Sequence, residues 1–157
     1  QSDEELQLLL RLPVPAYLIE TESERILVDT GLHPDAVADP DSHYGEGNPL
    51  SYFGLEQEVG LAEQVDLGTI TQVVLTHLHF DHAGGLSLIP ESVPVVLQRA
   101  EWEAGQDRAA IERNFFQPRD YADAPSNLVL LDGEGLEKAD HSASAACGCT
   151  SSRSRRG

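Results

Sequence analysis

Residues 76–85 read T-H-L-H-F-D-H-A-G-G, which places three histidines and an aspartate between positions 77 and 82. The four residues before them, Gln72, Val73, Val74 and Leu75, have the apolar, β-branched character of a short buried strand. In extended backbone, side chains two apart share a side, so His77 and His79 can present imidazole nitrogens to one cation at about 2.0–2.1 Å. Leu78 and Phe80 then face the other way, into apolar packing. Ala83-Gly84-Gly85 removes bulk and lets the chain turn, which swings Asp81 and His82 toward a second position beside the first. One carboxylate with imidazoles suits zinc, and also accepts iron, manganese or cobalt. The plainer alternative is a chance cluster of surface histidines. A strand end followed by Gly-Gly is where α/β enzymes keep their chemistry, and that context favours the metal.

The 157 residues amount to one domain's worth of chain. Asp and Glu number 27 against 10 Lys and Arg, for a formal net charge of −17. A field of that sign repels nucleic-acid phosphates and anionic lipid, so neither is expected as a partner. It says little about a small-molecule substrate. No run approaches the roughly 18 apolar residues of a membrane span, and the N-terminus lacks a basic region leading into an apolar core. A soluble, cytoplasmic protein is expected. Cys147 and Cys149 make no disulfide framework. With no serine in a G-x-S-x-G setting, a covalent nucleophile is not credible.

Working outward along the chain, residues 1–12 open like a short helix, which Pro13 and Pro15 stop. Ala16–Glu20 and Arg25–Asp29 read as the two strands of a hairpin, with Thr21–Glu24 as the turn. The segment 33–53 is rich in Pro, Asp, Gly, Asn and Ser and reads as loop. His33 and His43 lie in it without a partner at ligand spacing and read as ordinary loop residues. Apolar positions Leu55, Val59, Leu61, Ala62 and Val65 suit an amphipathic helix over 55–65. A short helix is expected at Leu86–Ile89, a buried strand at Val93–Leu97, and helices at Arg99–Gln106 and Arg108–Phe116. Tyr121 reads as loop, Leu128–Leu131 as a last strand, and 132–135 as a turn. Residues 141–157 hold three arginines and no acid, a low-complexity composition that reads as a disordered tail. The domain boundaries are therefore 1–140 and 141–157.

The spacing H-x-H-x-D-H, here His77, His79, Asp81 and His82, resembles the signature of the metallo-β-lactamase-fold hydrolases. Within them, Leu12–Gly31 (LPVPAYLIETESERILVDTG), the wording HLHFDHAGG and Pro94–Gln106 (PVVLQRAEWEAGQ) are similar to the quorum-quenching N-acyl-homoserine lactonases. The resemblance implies an α/β, α+β-layered fold, the αββα sandwich, of which this chain supplies the N-terminal half to two-thirds. It implies His77, His79, Asp81 and His82 as metal ligands and two Zn2+ ions holding a hydroxide that opens the lactone ring, with Asp81 also passing a proton to the leaving alkoxide. It places Asp29, in the Asp-x-Gly step, beneath the site as hydrogen-bond acceptor for a ligand histidine, and Tyr44, Tyr52 and Phe53 as candidate walls for an acyl chain. The family's later H-T-P-G-H loop, bridging aspartate and last histidine have no counterpart; His141-Ser142-Ala143 does not match, so four of seven expected ligands are present. The expectation is an incomplete domain, weakly metallated and nearly inactive by itself, with a truncation or shifted reading frame behind the tail. A glyoxalase II-like thioesterase or a β-lactamase-like enzyme on the same fold is the first rival, and a non-catalytic metal-binding fragment the second. A redox di-iron role fits less well, since that branch needs a glutamate where His79 stands.

Overall fold

The computed structural model describes residues 12–123 and 127–133. The expected helix at the start of the chain, apart from Leu12, and the 141–157 tail with its two cysteines lie outside the described residues. Two strands, β1 (Tyr17–Glu20) and β2 (Arg25–Val28), form the antiparallel hairpin. The Thr21 N–H donates to the Glu24 carbonyl at 2.9 Å and its Oγ1 accepts the Glu24 N–H at 3.0 Å, which closes the turn.

Three further strands, β3 (Gln72–Val74), β4 (Val95–Gln98) and β5 (Leu128–Leu131), add in sequence order to make one sheet, β1-β2-β3-β4-β5, with β2 to β5 parallel. Parallel neighbours need long crossovers, and right-handed crossovers taken in strand order all return over the same face. On that face the register lines up Leu18, Leu27, Val73, Val95 and Leu128. They pack with Leu61, Leu78, Leu86, Phe116 and Tyr121 into the core. The opposite face carries Tyr17, Val28, Val74, Val96 and Val129 in one row. Tyr17 there is 59% exposed and Ile19, two residues along, 48%.

Segment 33–53 holds more regular structure than its composition suggests. It forms α1 (Pro34–Ala38), α2 (Pro40–Tyr44) and a 3-10 turn at Pro49–Tyr52. The residues that argued for loop are the ones that start these helices: His33, Asp39 and Asn48 each accept a backbone N–H as N-cap, with proline in the first turn.

The helix expected over 55–65 shrinks to α3 (Leu61–Gln64). Gly60 interrupts the pattern and serves as N-cap instead, its N–H donating to the Glu63 carboxylate at 2.8 Å; the apolar periodicity had no capping residue at its head to support it. After β3 come α4 (Phe80–Ala83) and a 3-10 stretch, Gly84–Leu88, that stops before Pro90. β4 leads into α5 (Arg99–Ala104), and α6 (Arg108–Asn114) begins on the Asp107 cap. Phe115, at φ +56°, ends α6 short of the expected Phe116.

Candidate metal centre

The centre lies where parallel strands end, as in other α/β sheets. β2 delivers Asp29 and β3 delivers residues 76–82. Two glycines hold these ends together. A Cβ on Gly84 would stand 2.8 Å from both the Gly31 carbonyl oxygen and the His33 nitrogen, and one on Gly85 would stand 2.5 Å from the Thr30 carbonyl oxygen. The Ala83-Gly84-Gly85 run was expected to supply a turn; Gly84 in fact has helical angles, φ −56° and ψ −39°, so close approach of two backbones is what requires it. The Thr30 N–H and Oγ1–H both donate to the His82 carbonyl, at 2.7 and 2.9 Å.

Each imidazole of the motif has an outer partner that decides which nitrogen keeps a lone pair. The Asp29 carboxylate accepts the Thr76 N–H at 2.8 Å, the Thr76 hydroxyl at 2.8 Å and His82 Nδ1 at 2.8 Å. A carboxylate only accepts, so His82 Nδ1 carries a proton and Nε2 is left open. The Thr76 hydroxyl spends its one proton on Asp29 and must accept from His77 Nδ1, 3.0 Å away, which opens His77 Nε2. His79 Nε2 meets the carbonyl of Asn114 at 2.8 Å, which opens Nδ1. Burial, followed by the neighbouring His82 and His79, holds the His77 imidazole below its ordinary pKa, which favours the neutral form a metal requires.

The four motif residues are not equally drawn together. His77, Asp81 and His82 bring one ligand-capable atom each to within 4.8 Å of one another; His79 is not part of that trio. The His77 and His79 rings nevertheless meet edge to face at 4.7 Å, and those of His77 and His82 at 4.1 Å. The Asp81 carboxylate stands 3.4 Å from His82 Nε2. Leu78 is fully buried as expected, and its N–H donates to the Glu101 carboxylate at 3.0 Å, which fixes the backbone between the two histidines. Phe80 departs from expectation: it lines a cleft of about 430 Å³ with Pro49, Leu50, Phe53 and Phe115, and His79 and Asp81 open into the same cleft. Of the three proposed wall aromatics only Phe53 lines it. Tyr52 is 87% exposed, and Tyr44 donates its hydroxyl to Asp120 at 3.0 Å.

Three contributors carried no assigned role in the sequence. Glu101 falls inside a stretch that carried the resemblance and Thr76 just before one, but their partners are 23 and 47 residues away. Asn114 acts through its carbonyl, which no side-chain pattern signals. Tyr121, expected in loop, is 1% exposed, and its hydroxyl donates to the Gly105 carbonyl at 3.0 Å. Burial pushes that phenol up to about 12.

Three open imidazole nitrogens beside one carboxylate are a donor set that fits zinc or a similar divalent ion. With its position at the rim of a parallel sheet, that set defines a candidate metal centre of the α/β class. The chain belongs to the metallo-β-lactamase superfamily, whose sequence profile, described as Metallo-beta-lactamase superfamily, matches residues 9–143. It is 40% identical over 132 residues to a Bacillus cereus protein named N-acyl homoserine lactonase, covering 80% of this chain and 50% of that one. A Rhizobium johnstonii protein named N-acyl homoserine lactonase AttM is 33% identical over 97 residues, 59% of this chain and 36% of that one. Among solved structures, an N-acyl homoserine lactone hydrolase with N-hexanoyl-L-homoserine bound at its catalytic metal centre superposes with a TM-score of 0.62 at 28% identity, over 79% of this chain and 49% of that one. A point mutant of Bacillus thuringiensis AiiA, with N-decanoyl-L-homoserine at its active site, gives a TM-score of 0.59 at 28% identity, with 79% of this chain and 49% of that one covered. The chain spans about half the length of the Bacillus relative.

Proposed function

We propose that this protein is a metal-dependent hydrolase that opens the ring of N-acyl homoserine lactones, a quorum-quenching lactonase acting in the cytoplasm. The observation that carries the reading is the set of outer partners, Asp29, Thr76 and Asn114, which leave one lone pair open on each of His82, His77 and His79. They stand beside an apolar cleft of a size suited to an acyl chain. Similarity to proteins named N-acyl homoserine lactonases supports a lactone over other esters as the substrate.

His77, His79, Asp81 and His82 would hold the metal, zinc being the ion expected, with two ions in the whole family domain. A cation bound there supplies Lewis acidity, which polarises a carbonyl and lowers the pKa of water. The rest falls to the chain's own groups. Pro49, Leu50, Phe53, Phe80 and Phe115 exclude water from the acyl side of the substrate. The Asp81 carboxylate, 30% exposed at the cleft, takes the proton released as water adds to the lactone carbonyl. When the carbonyl–ring-oxygen bond breaks, Asp81 returns that proton to the departing alkoxide, so an acid and an alcohol result.

The test offers N-hexanoyl homoserine lactone, a glutathione thioester and a cephalosporin to the zinc-loaded 157-residue chain, with ring opening followed by mass spectrometry as the gain of one water. Slow lactone opening is expected, lost in His77→Ala and reduced at least about 100-fold in Asp81→Ala, in line with the usual worth of a general acid–base. Faster thioester cleavage would transfer the reading to a glyoxalase II-like enzyme. Zinc uptake with no turnover of any of the three would make the chain a metal-binding unit without catalysis of its own.

A further inference from the structure

A second group of ligand-type residues lies apart from the motif. His33, Asp35 and His43 each bring one ligand-capable atom to within 4.8 Å of the others. Their sequence spacing carries no local signature, because the fold of α1 and α2 creates the proximity. The His33 and His43 rings stack at 4.4 Å with 18° between their planes.

An ordinary structural role covers part of this arrangement and leaves part unexplained. His33 Nδ1 caps α1 by accepting the Asp35 N–H at 3.1 Å, and it stands 3.8 Å from the Asp35 carboxylate. His43 is different. It is 7% exposed, and its Nε2 is buried with no hydrogen-bond partner. Asp120 Oδ1 is 3.5 Å away and accepts the Tyr44 hydroxyl instead. A buried imidazole nitrogen without a partner costs on the order of 1–3 kcal/mol, and no hydrogen bond is broken when Nε2 turns to a bound ion. Burial, then the neighbouring ring and Arg119, lowers the His43 pKa, so the ring is neutral and its lone pair available.

We propose that His33, Asp35 and His43 form a second cation site, distinct from the His77–His82 centre, that takes a divalent transition ion such as zinc in a structural role. Two imidazoles and a carboxylate are a normal zinc set, and the exposed side of Asp35 leaves room for water as the remaining ligand. Binding at His33 takes the Nδ1 lone pair that now accepts the Asp35 N–H, so the ion replaces the cap of α1, and the donors, now within 4.8 Å of one another, close onto it at about 2.0–2.2 Å. The ion would tie α1 to α2 directly behind the loop that packs on Gly84, and so brace one wall of the first centre without entering its chemistry.

The experiment removes the first centre with His77→Ala and His82→Ala, strips the chain with chelator and dialyses it against zinc. One retained equivalent by elemental analysis is expected. Adding Asp35→Ala or His43→Gln should weaken that binding about tenfold or more, the scale on which metal sites respond to lost support. Asp35 is exposed, so its removal leaves the core intact, and far-UV circular dichroism checks each variant's fold. If the double alanine background does not fold, Asp35→Ala in the unaltered chain should lower the zinc count by one equivalent. Absence of any equivalent in a folded double variant overturns the proposal and assigns His43 Nε2 to a proton from Asp120. Zinc held equally well without Asp35 and His43 overturns it too.

Discussion

Asp29 sits at φ +58° and 3% exposure while its carboxylate serves both Thr76 and His82. Aspartate and asparagine tolerate this left-handed backbone because their short polar side chains bond locally. Asp29→Asn therefore keeps the backbone but replaces one accepting oxygen with a donor, which then faces either a Thr76 or a His82 hydrogen. Zinc affinity measured against a chromophoric chelator should fall about 10–100-fold with the fold retained; unchanged affinity would show that Asp29 does not set the His82 tautomer. The candidate ligands were readable as letters, because H-x-H-x-D-H is contiguous and its spacing has a geometric meaning. What selects the open nitrogen on each ring was only partly readable. Asp29 could be placed beneath the site by resemblance, whereas the roles of Thr76 and Asn114 depend on contacts across 47 and 35 residues or on a main-chain oxygen.

Among the elements, the glycine pair 84–85 and the end of α6 respond in opposite directions. Gly85→Ala pushes a methyl against the Thr30 main-chain oxygen at 2.5 Å, and backbone cannot step aside cheaply, so a loss of about 1–3 kcal/mol is expected. In Gly105→Ala the nearest atom, at the same distance, is the end of the Leu78 side chain, which can rotate. Chemical denaturation should rank Gly85→Ala as the costlier of the two; the reverse order would mean that residues 30–31 yield more readily than the core around Leu78. Phe115 is the converse case: a bulky residue at φ +56° with 59% of its surface exposed. Phe115→Gly relieves the left-handed strain and should raise stability by roughly 1 kcal/mol in a urea melt, while taking a wall from the cleft and weakening binding of long acyl chains. The hairpin, β5 and the helices after β4 were legible because apolar runs bounded by turn residues report on themselves. The 55–65 helix was not, since an apolar period without a cap at its start is equally compatible with a chain that only touches the core. Segment 33–53 misled for the opposite reason: its prolines and acids are helix starters as well as loop formers.

At the scale of the molecule, the sheet has an uneven pair of faces. One is covered by the helices; the other shows Tyr17 and Ile19 to solvent with Val28, Val74 and Val129 half-buried. Parallel sheets are ordinarily covered on both sides, and the chain covers only 50% of the Bacillus relative it matches. Studied alone, the 157-residue chain should bind the dye ANS through this face, and Ile19→Thr with Tyr17→Thr should reduce that signal by roughly half, as expected for removal of the most exposed part of an apolar patch. A signal untouched by both substitutions would locate the exposed apolar surface elsewhere, for example at Phe53 and Tyr52. Among the described residues no helix is long and apolar enough to cross a membrane.

The consecutive strand order bears on synthesis. Asp29, Thr76, the motif histidines and the Asn114 carbonyl all belong to a single uninterrupted run of chain, and the strands between them pair with the neighbours that emerged just before. Since domains tend to fold from the N-terminal side as they leave the ribosome, the imidazoles can be oriented once position 114 is out. On the proposed reading a growing polypeptide recruits the ion early, and any later segment would meet a prepared rim.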